Sequence, residues 1–446
     1  MTGHTARRTP VHRGPAAWSV ILPDQPAPVL AEGDMTVDVA IIGAGFAGLS
    51  AARRLRQIDP TARVAVLEAG RLAEGASGRN SGFMIDLPHE LTSKDYAGAG
   101  DDRRVIALNR HAIAFARATV GECGINPNYF DPAGKVNGAA SDAAHQRNQS
   151  YARHLEGLGE PFEHLDAQAM HDMTGSRHYL SGLYTPGTVM LQPAGYIRGL
   201  GAGLRRAGVG IYEQSPVTRI TREGAGWCLV TPRARISAGK VILTTNGHLE
   251  SFGFTPGRLM HVFLYASMTA EMDRDTRSAL GGAPRWGITP SDPMGTTLRR
   301  LDTGQGGNRI VTRTCATFAP GMEVGARALR RAAAVHRAKF AQRFPHLRDL
   351  RQEHIWAGHL CLSRNGVSVM RELEPGLYVG CVQNGLGTAR GTLTGIGAAE
   401  LACGTTSAIT RHFTAQPDPT PLPPRPLATL GANGWLRWKE WRARED

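Results

Sequence analysis

Residues 37–70 read VDVAIIGAGFAGLSAARRLRQIDPTARVAVLEAG, and the reading of this stretch decides the fold. The apolar run Val37–Ile42 has the unbroken hydrophobicity of a strand buried on both faces in a parallel sheet. Gly43-Ala44-Gly45-Phe46-Ala47-Gly48 interrupts it and opens a helix through Leu55, and a second strand is predicted at Arg63–Leu67. Gly43 permits the tight turn, Gly45 lets the backbone approach a pyrophosphate on the helix N-terminus, and Gly48 lets the helix close on the sheet. Glu68 ends the second strand twenty residues after Gly48, where a carboxylate accepts hydrogen bonds from a ribose diol. Glycine turns between strands and helices are common. It is the full order of strand, turn, helix, strand and acid that predicts a bound dinucleotide.

Working outward, the loop Gly70-Arg71-Leu72-Ala73-Glu74-Gly75-Ala76-Ser77-Gly78-Arg79-Asn80-Ser81-Gly82-Phe83 is too dense in small residues for a solvated linker. Small residues let backbone amides face a large flat ligand, and Ser77, Arg79 and Asn80 are expected to bond phosphate or ring heteroatoms. A flexible surface loop is the alternative. Helices are predicted at 101–121, 143–157 and 196–207, then strands at 210–213, 217–221, 227–231 and 241–245, the order in which an interrupted nucleotide-binding sheet resumes. Segments between Leu259 and Ala319 read as strands of a second sheet, followed by a surface helix over 326–344 and a strand through Ile355, Trp356 and Ala357. Leu377–Cys381 is a further strand. After it, Gln383-Asn384-Gly385-Leu386-Gly387-Thr388 forms a second glycine turn, feeding a helix over 392–402 whose N-terminal dipole is positive.

The chain has 446 residues, of which 41% are hydrophobic, enough for two interleaved domains. Its formal charge of +13 comes from arginine, since the only lysines are Lys94, Lys135, Lys240, Lys339 and Lys439. No nucleic-acid motif accompanies that charge, so no nucleic-acid partner is expected. Six scattered cysteines without a CxxC or zinc-like pattern predict a reduced, cytoplasmic setting and no metal. No signal-peptide core and no run approaching eighteen apolar residues is present, so a soluble protein without a membrane span is expected. Residues 1–34 have no period and read as an arm lying across the body, with Trp18 as its anchor. At the other end, GANGWLRWKEWRARED places Trp435, Trp438 and Trp441 among basic residues. The tryptophans are expected to pack on the protein's own body; a helix lying on a membrane is the alternative.

Together these stretches resemble the amino-acid and amine oxidase family of FAD flavoproteins that includes D-amino-acid oxidase, glycine oxidase and monomeric sarcosine oxidase, and within it the gamma-glutamylputrescine oxidase branch. The likeness is carried by the βαβ unit with Glu68, by Gly75-Ala76-Ser77-Gly78-Arg79-Asn80, by Ile211-Tyr212-Glu213-Gln214-Ser215-Pro216 and by Thr245-Asn246-Gly247. Further matches are Phe344-Pro345-His346-Leu347, Trp356-Ala357-Gly358 and the stretch from Asn384 to Gly404. The resemblance implies an α/β (α+β) fold: a Rossmann-type FAD-binding domain interleaved with a smaller antiparallel-sheet substrate domain, as in D-amino-acid oxidase and glutathione reductase. The expected division is an arm at 1–34, an FAD-binding domain at 35–95, 189–256 and 354–412, a substrate or cap domain at 96–188 and 257–353, and a linker and tail at 413–446.

The family likeness assigns non-covalent FAD to Gly43, Gly45, Phe46, Ala47, Gly48, Glu68, Ala69 and Arg71, and to the loop Ala76, Ser77, Gly78, Arg79, Asn80, Ser81 and Gly82. Val217 is placed against the adenine, with Thr245, Asn246 and Gly358 nearby. Asn384, Gly385, Leu386, Gly387 and Thr388 are placed at the flavin pyrimidine edge, where backbone donors favour the reduced, anionic ring. The implied reaction is hydride transfer from a primary or secondary amine, hydrolysis of the imine to an aldehyde, and reoxidation by O2. A quinone or carrier acceptor is the rival, because no lysine falls in a segment expected near the flavin. A nucleic-acid-modifying flavoprotein is a more distant alternative.

Two departures bear on the substrate. Amino-acid-oxidising relatives carry an arginine two residues after the Trp-x-Gly segment to hold the substrate carboxylate; here Leu360 stands there, with His359 beside it. Arg313, in Ile310-Val311-Thr312-Arg313-Thr314, is new where the putrescine-oxidising relatives are glycine-rich. It is expected either to receive a remote anionic group of the substrate or to pair with a local acid. His359 is either a residue that positions the amine or a hydrogen-bonded spacer.

Overall fold

The strand that opens the dinucleotide signature starts at Gly33 and runs to Ile42, alternating in exposure until Val39 and then fully buried through Ile42. That change marks where the sheet becomes covered on both faces. The chain is seen in a computed structural model that describes residues 3–88 and 100–446. Five strands run parallel in the order Gly210–Tyr212, Val64–Leu67, Gly33–Ile42, Ala234–Leu243, Leu377–Cys381. The first half of Ala234–Leu243 also pairs antiparallel with Gly226–Val230, so one long strand belongs to two ribbons. Val369–Glu374 forms a hairpin with Leu377–Cys381 at the other edge.

Two helices lie side by side against this sheet, Phe46–Ile58 and Ala389–Ala402. Their closeness depends on Gly395: a Cβ there would come within 2.1 Å of the Ala47 carbonyl oxygen. Pro193–Arg206 and Asp102–Glu122 complete the layer, and the core between them gathers Ile41, Leu49, Leu55, Val66, Ile197, Leu200 and Ile396. The helix over 389–402 begins three residues earlier than the pattern suggested, directly on the glycine turn.

The second sheet has eight strands, in the order Gln352–Ser363, Leu259–Thr269, Arg309–Phe318, Thr297–Leu301, Trp286–Pro290, Lys135–Ala139, Ser181–Thr185, Glu163–Asp166. All neighbours are antiparallel except Trp286–Pro290 with Lys135–Ala139. This corrects the expected boundary at residue 354. Gln352–Ser363 is hydrogen-bonded along its length to Leu259–Thr269, and the chain returns to the nucleotide sheet only at Val369. The boundary expected between residues 95 and 96 lies outside the described residues. The helix Ala326–Arg343 covers one face of this sheet, burying Ala332, His336 and Phe340 at successive turns.

The arm contributes more than a wrap. Gly3–Thr5 adds an antiparallel strand beside Arg219–Thr221, a segment too short to show a period. Trp18 is fully buried, and its indole nitrogen donates to the Asn80 carbonyl at 2.8 Å beneath the Arg299 guanidinium. The C-terminal expectation is overturned. Arg425–Arg442 is one helix whose inward anchor is Leu436, while Trp435, Trp438 and Trp441 are all exposed.

Candidate active site

The parallel sheet ends in a cleft where the two glycine turns meet. Gly43 sits at φ 103°, a conformation open to glycine, and a Cβ on Gly48 would fall 1.8 Å from the Gly43 carbonyl oxygen. A Cβ on Gly45 would meet Ser77 Oγ at 2.6 Å. Ser77 Oγ accepts the amide of Phe46 at 3.1 Å, which ties the small-residue loop to the helix start. Neither helix over the cleft is capped by the side chain of its own N-cap residue: Gly45 precedes Phe46–Ile58, and the Thr388 hydroxyl donates instead to the Phe83 carbonyl. Two helix N-termini without a local cap, opening on one cleft, form a site for negative charge.

The cleft has two adjoining chambers that share part of their lining. The first chamber takes in Gly43, Gly45, Glu68, Ala69, Arg71, Ala76, Ser77, Val217, Thr245 and Asn246. The second takes in Phe46, Ala47, Arg79, Asn80, Ser81, Arg313, Gly358, His359, Leu360, Gly385 and Gly387. Gly45, Ala76, Ser77, Thr244, Asn246 and His359 line both. Leu386 and Thr388 border a third chamber, which shares Arg313, Asn80, Ser81, Gly385 and Gly387 with the second. Gly48, Gly78, Gly82 and Asn384 line none of the three and act by shape. A Cβ on Gly78 would strike the Ala73 carbonyl at 1.8 Å, and Gly82 holds φ 77°. Asn384 accepts the Ser363 amide at 2.8 Å and donates to the Val367 carbonyl at 2.8 Å, which staples the second glycine turn to the other sheet. Within that turn Val382, a β-branched residue, holds φ 62°, a strain of about 1–3 kcal/mol that the surrounding bonds maintain.

A dinucleotide fits these residues. Glu68 is half-buried; its two oxygens accept the Ala44 amide at 2.8 Å and the Gly70 amide at 3.0 Å, and each oxygen retains a lone pair for a hydroxyl donor. Burial raises its pKa from the ordinary carboxylate value. The buried Oδ1 of Asn246, which lines both chambers, has no hydrogen-bond partner among the described residues. Such an orphan calls for a ligand group. Arg79, which lines the second chamber, is also engaged with protein carbonyls. Its Nε donates to the Glu74 carbonyl, and its Nη1 is directed at the carbonyls of Arg13, Gly14 and Ala357, so it knots arm, loop and second sheet together. Arg71 is likewise engaged, with Glu213 at 3.1 Å.

Strand alternation separates His359 from Leu360. Leu360 pairs with Val262, Gly358 with Leu264, and Ala266 with Arg313, so Leu264, Leu360 and Arg313 share one face of the sheet. His359 is on the other face. Its ring stacks on Phe263 at 5.0 Å, its Nε2 is 3.1 Å from His261 Nδ1, and His261 Nε2 is 2.7 Å from Glu250 Oε2. Burial first, then the charges of His261 and His248, push the His359 pKa far below its usual value. His359 thus joins a histidine cluster on the strand face opposite the Leu360 side chain, at a position that lines both chambers of the cleft. His248 and Glu250 follow the Thr245-Asn246-Gly247 strand end closely, but only the fold brings His261 to them.

Lys135 also stands nearer the site than its segment suggested. Its Nζ is 3.4 Å from Thr289 Oγ1, and Thr289 lines the third chamber. Burial lowers its pKa to about 8. The arm residues Arg8, Thr9, Pro10, Val11 and His12 wall the first chamber, a role without any local sequence signal.

A βαβ sheet whose glycine turns cradle a dinucleotide, opening onto a second sheet that walls a substrate chamber, defines an oxidoreductase with a resident dinucleotide cofactor. The chain belongs to the DAO family of FAD dependent oxidoreductases, which it matches over residues 38–401. It is 24% identical over 413 residues to a probable oxidoreductase OrdL of Rhizobium meliloti (strain 1021), covering 89% of this chain and 90% of that protein. It is 26% identical over 221 residues to the gamma-glutamylputrescine oxidoreductase of Escherichia coli (strain K12), covering 48% of this chain and 50% of that protein. Glycine oxidase from Geobacillus kaustophilus shares the fold, with a TM-score of 0.69 at 19% identity over 84% of this chain and 96% of that one. L-proline dehydrogenase from P. horikoshii superposes with a TM-score of 0.63 at 15% identity over 86% and 96% of the two chains. No helix among the described residues is long and apolar enough to cross a membrane.

Proposed function

We propose that this flavoenzyme oxidises a primary or secondary amine that carries an anionic group remote from the reacting nitrogen, and that its FAD is held non-covalently. The bound flavin supplies a hydride acceptor for the CH–NH bond. The observation that carries the reading is the shared face of Leu360 and Arg313 on the second sheet, with both side chains lining the second chamber. An apolar Leu360 would desolvate an α-carboxylate without compensating it, which argues against an α-amino acid at the reacting end. Arg313, which lines both the second and third chambers, can accept a carboxylate, phosphonate or sulfonate through its planar fork. The same apolar wall of Leu264 and Leu360 lowers the pKa of a bound ammonium, and the neutral amine is the form that releases hydride. Water then converts the imine to an aldehyde, releasing ammonia from a primary amine or a smaller amine from a secondary one. The relative named for gamma-glutamylputrescine supports this class, since a glutamyl group places a carboxylate far from the putrescine nitrogen.

Dioxygen is the acceptor we favour. Lys135, cationic at neutral pH and one residue behind the third chamber, supports negative charge building on oxygen. The test is anaerobic flavin bleaching across amines, betaines, aminophosphonates and aminosulfonates, followed by oxygen consumption with the fastest substrate. Bleaching should be fastest with an amine bearing a distant anion. If glycine, sarcosine or a D-amino acid bleaches fastest, the argument from Leu360 fails. Fast bleaching without oxygen uptake, relieved by a quinone, would move the acceptor to a dehydrogenase chemistry.

A further inference from the structure

The helix Arg425–Arg442 lies outside the stretch matched to the family, and it carries an apolar face turned to solvent. Its inner face is accounted for. Leu436 is buried against Val262, Ala316 and Phe318, Asn433 accepts the Phe318 amide at 3.0 Å, and Glu440 accepts the Ala316 amide at 2.8 Å. Leu427, Leu430, Trp438 and Trp441 recur at helical spacing on the side opposite Leu436, with Trp435 beside them. They are 68%, 77%, 47% and 60% exposed, and Trp435 is 50% exposed. The stripe is about 21 Å long at 1.5 Å per residue.

Cations stand along this stripe. Lys439 Nζ lies 5.4 Å from the Trp435 ring and 5.8 Å from the Trp438 ring, Arg442 lies 5.1 Å over Trp438, and Arg444 lies 4.8 Å over Trp441. The one acid within the helix, Glu440, is turned inward to Arg331 and Arg437; Glu445 is the acid exposed just beyond it. We propose that this face docks on an anionic lipid bilayer surface, with the tryptophans at headgroup depth and Lys439, Arg442 and Arg444 at the lipid phosphates. Tryptophan favours the interface because its ring is apolar and its N–H polar, and cations beside it add attraction to anionic lipid. A second copy of this chain is disfavoured as the occupant, because it would bring two cationic stripes together in a protein of net charge +13.

The test uses the full-length holoenzyme with vesicles of phosphatidylcholine, alone or mixed with phosphatidylglycerol. The protein should sediment with the mixed vesicles and be released by salt, and brominated phosphatidylcholine included in them should quench its fluorescence. The other four tryptophans, Trp18, Trp227, Trp286 and Trp356, are buried and do not reach lipid. Trp438→Ala with Trp441→Ala should weaken vesicle partition about tenfold or more. Arg442→Glu, which leaves the inner face of the helix untouched, should weaken it about fivefold or more. Flavin absorbance should be unchanged in both variants. The proposal is overturned if the holoenzyme ignores mixed vesicles, or if both variants sediment like the parent. It is also overturned if the tryptophan variant instead abolishes a concentration-dependent doubling of mass with no lipid bound, which would assign the face to a second copy.

Discussion

At the residue scale the site turns on which side of one strand each group faces. Arg313 and Leu360 look into the same chamber, whereas His359, adjacent to Leu360 in sequence, belongs to the opposite face. Arg313→Ala is expected to weaken kcat/KM for the anionic amine by about 1.5–3 kcal/mol, a factor of roughly 13 to 160, while flavin content stays the same. Unchanged kinetics would return Arg313 to a structural role. Leu360→Arg should raise the rate of flavin reduction by α-amino acids relative to amines, measured anaerobically with both. A buried histidine away from the cleft sets an acid limit on stability. His336 is held at a pKa of about 4, by burial first and then by the charges of Arg313 and Arg331, while its Nε2 is 3.2 Å from the Thr314 carbonyl. Its unfolded value is 6.5, so between those values the unfolded chain binds more protons and stability rises with pH. The contribution is present above pH 6.5 and lost as pH falls toward 4. Urea unfolding of parent and His336→Gln across this window should show a shallower pH slope in the variant.

At the element scale two helices deliver their N-termini to one cleft because glycine lets them touch. Gly395 accepts no Cβ against Ala47, and Gly45 accepts none against Ser77. Gly395→Ala is expected to cost about 1–3 kcal/mol of stability through overpacking, read as a lower urea midpoint. Gly45→Ala displaces Ser77 from the Phe46 amide and should reduce retained FAD in gel filtration more than it reduces stability. Equal flavin retention would mean that the Ser77 link does not shape the pyrophosphate seat. The reading of Gly45 came from the sequence, since a run of glycines between strand and helix has few physical uses, whereas the contact at Gly395, inside a helix, came from the packing. The carbonyl partners of Arg79 were not legible in the sequence for an equally physical reason: the arm supplies two of the four from more than sixty positions away.

At the scale of the whole molecule, an eight-stranded sheet and a parallel nucleotide sheet share one cleft, and the arm and C-terminal helix are laid over its outside. The cleft walls come from both sheets, the small-residue loop and the arm, so FAD should bind at one per chain and be lost when the fold is lost. Acid precipitation should leave the yellow colour in the supernatant. Colour retained in the pellet would show a covalent link.

The sequence by itself determined the nucleotide-binding half, because its rules are local: buried-strand hydrophobicity, glycine turns and an acid at fixed spacing act within some thirty residues. It also determined the glycine turn at 383–388. Only the tertiary structure decided the rest. Residue 354 falls within a strand of the second sheet because its partner is Leu259–Thr269, nearly a hundred positions away. The tryptophans of the tail face outward because Leu436 and Ala432, not they, meet the sheet. Lys135 comes to stand behind Thr289 of the third chamber, and His359 meets His261, through strand pairings and packing between distant segments. Facing and register are set by such long-range contacts, and no local pattern of residue types encodes them.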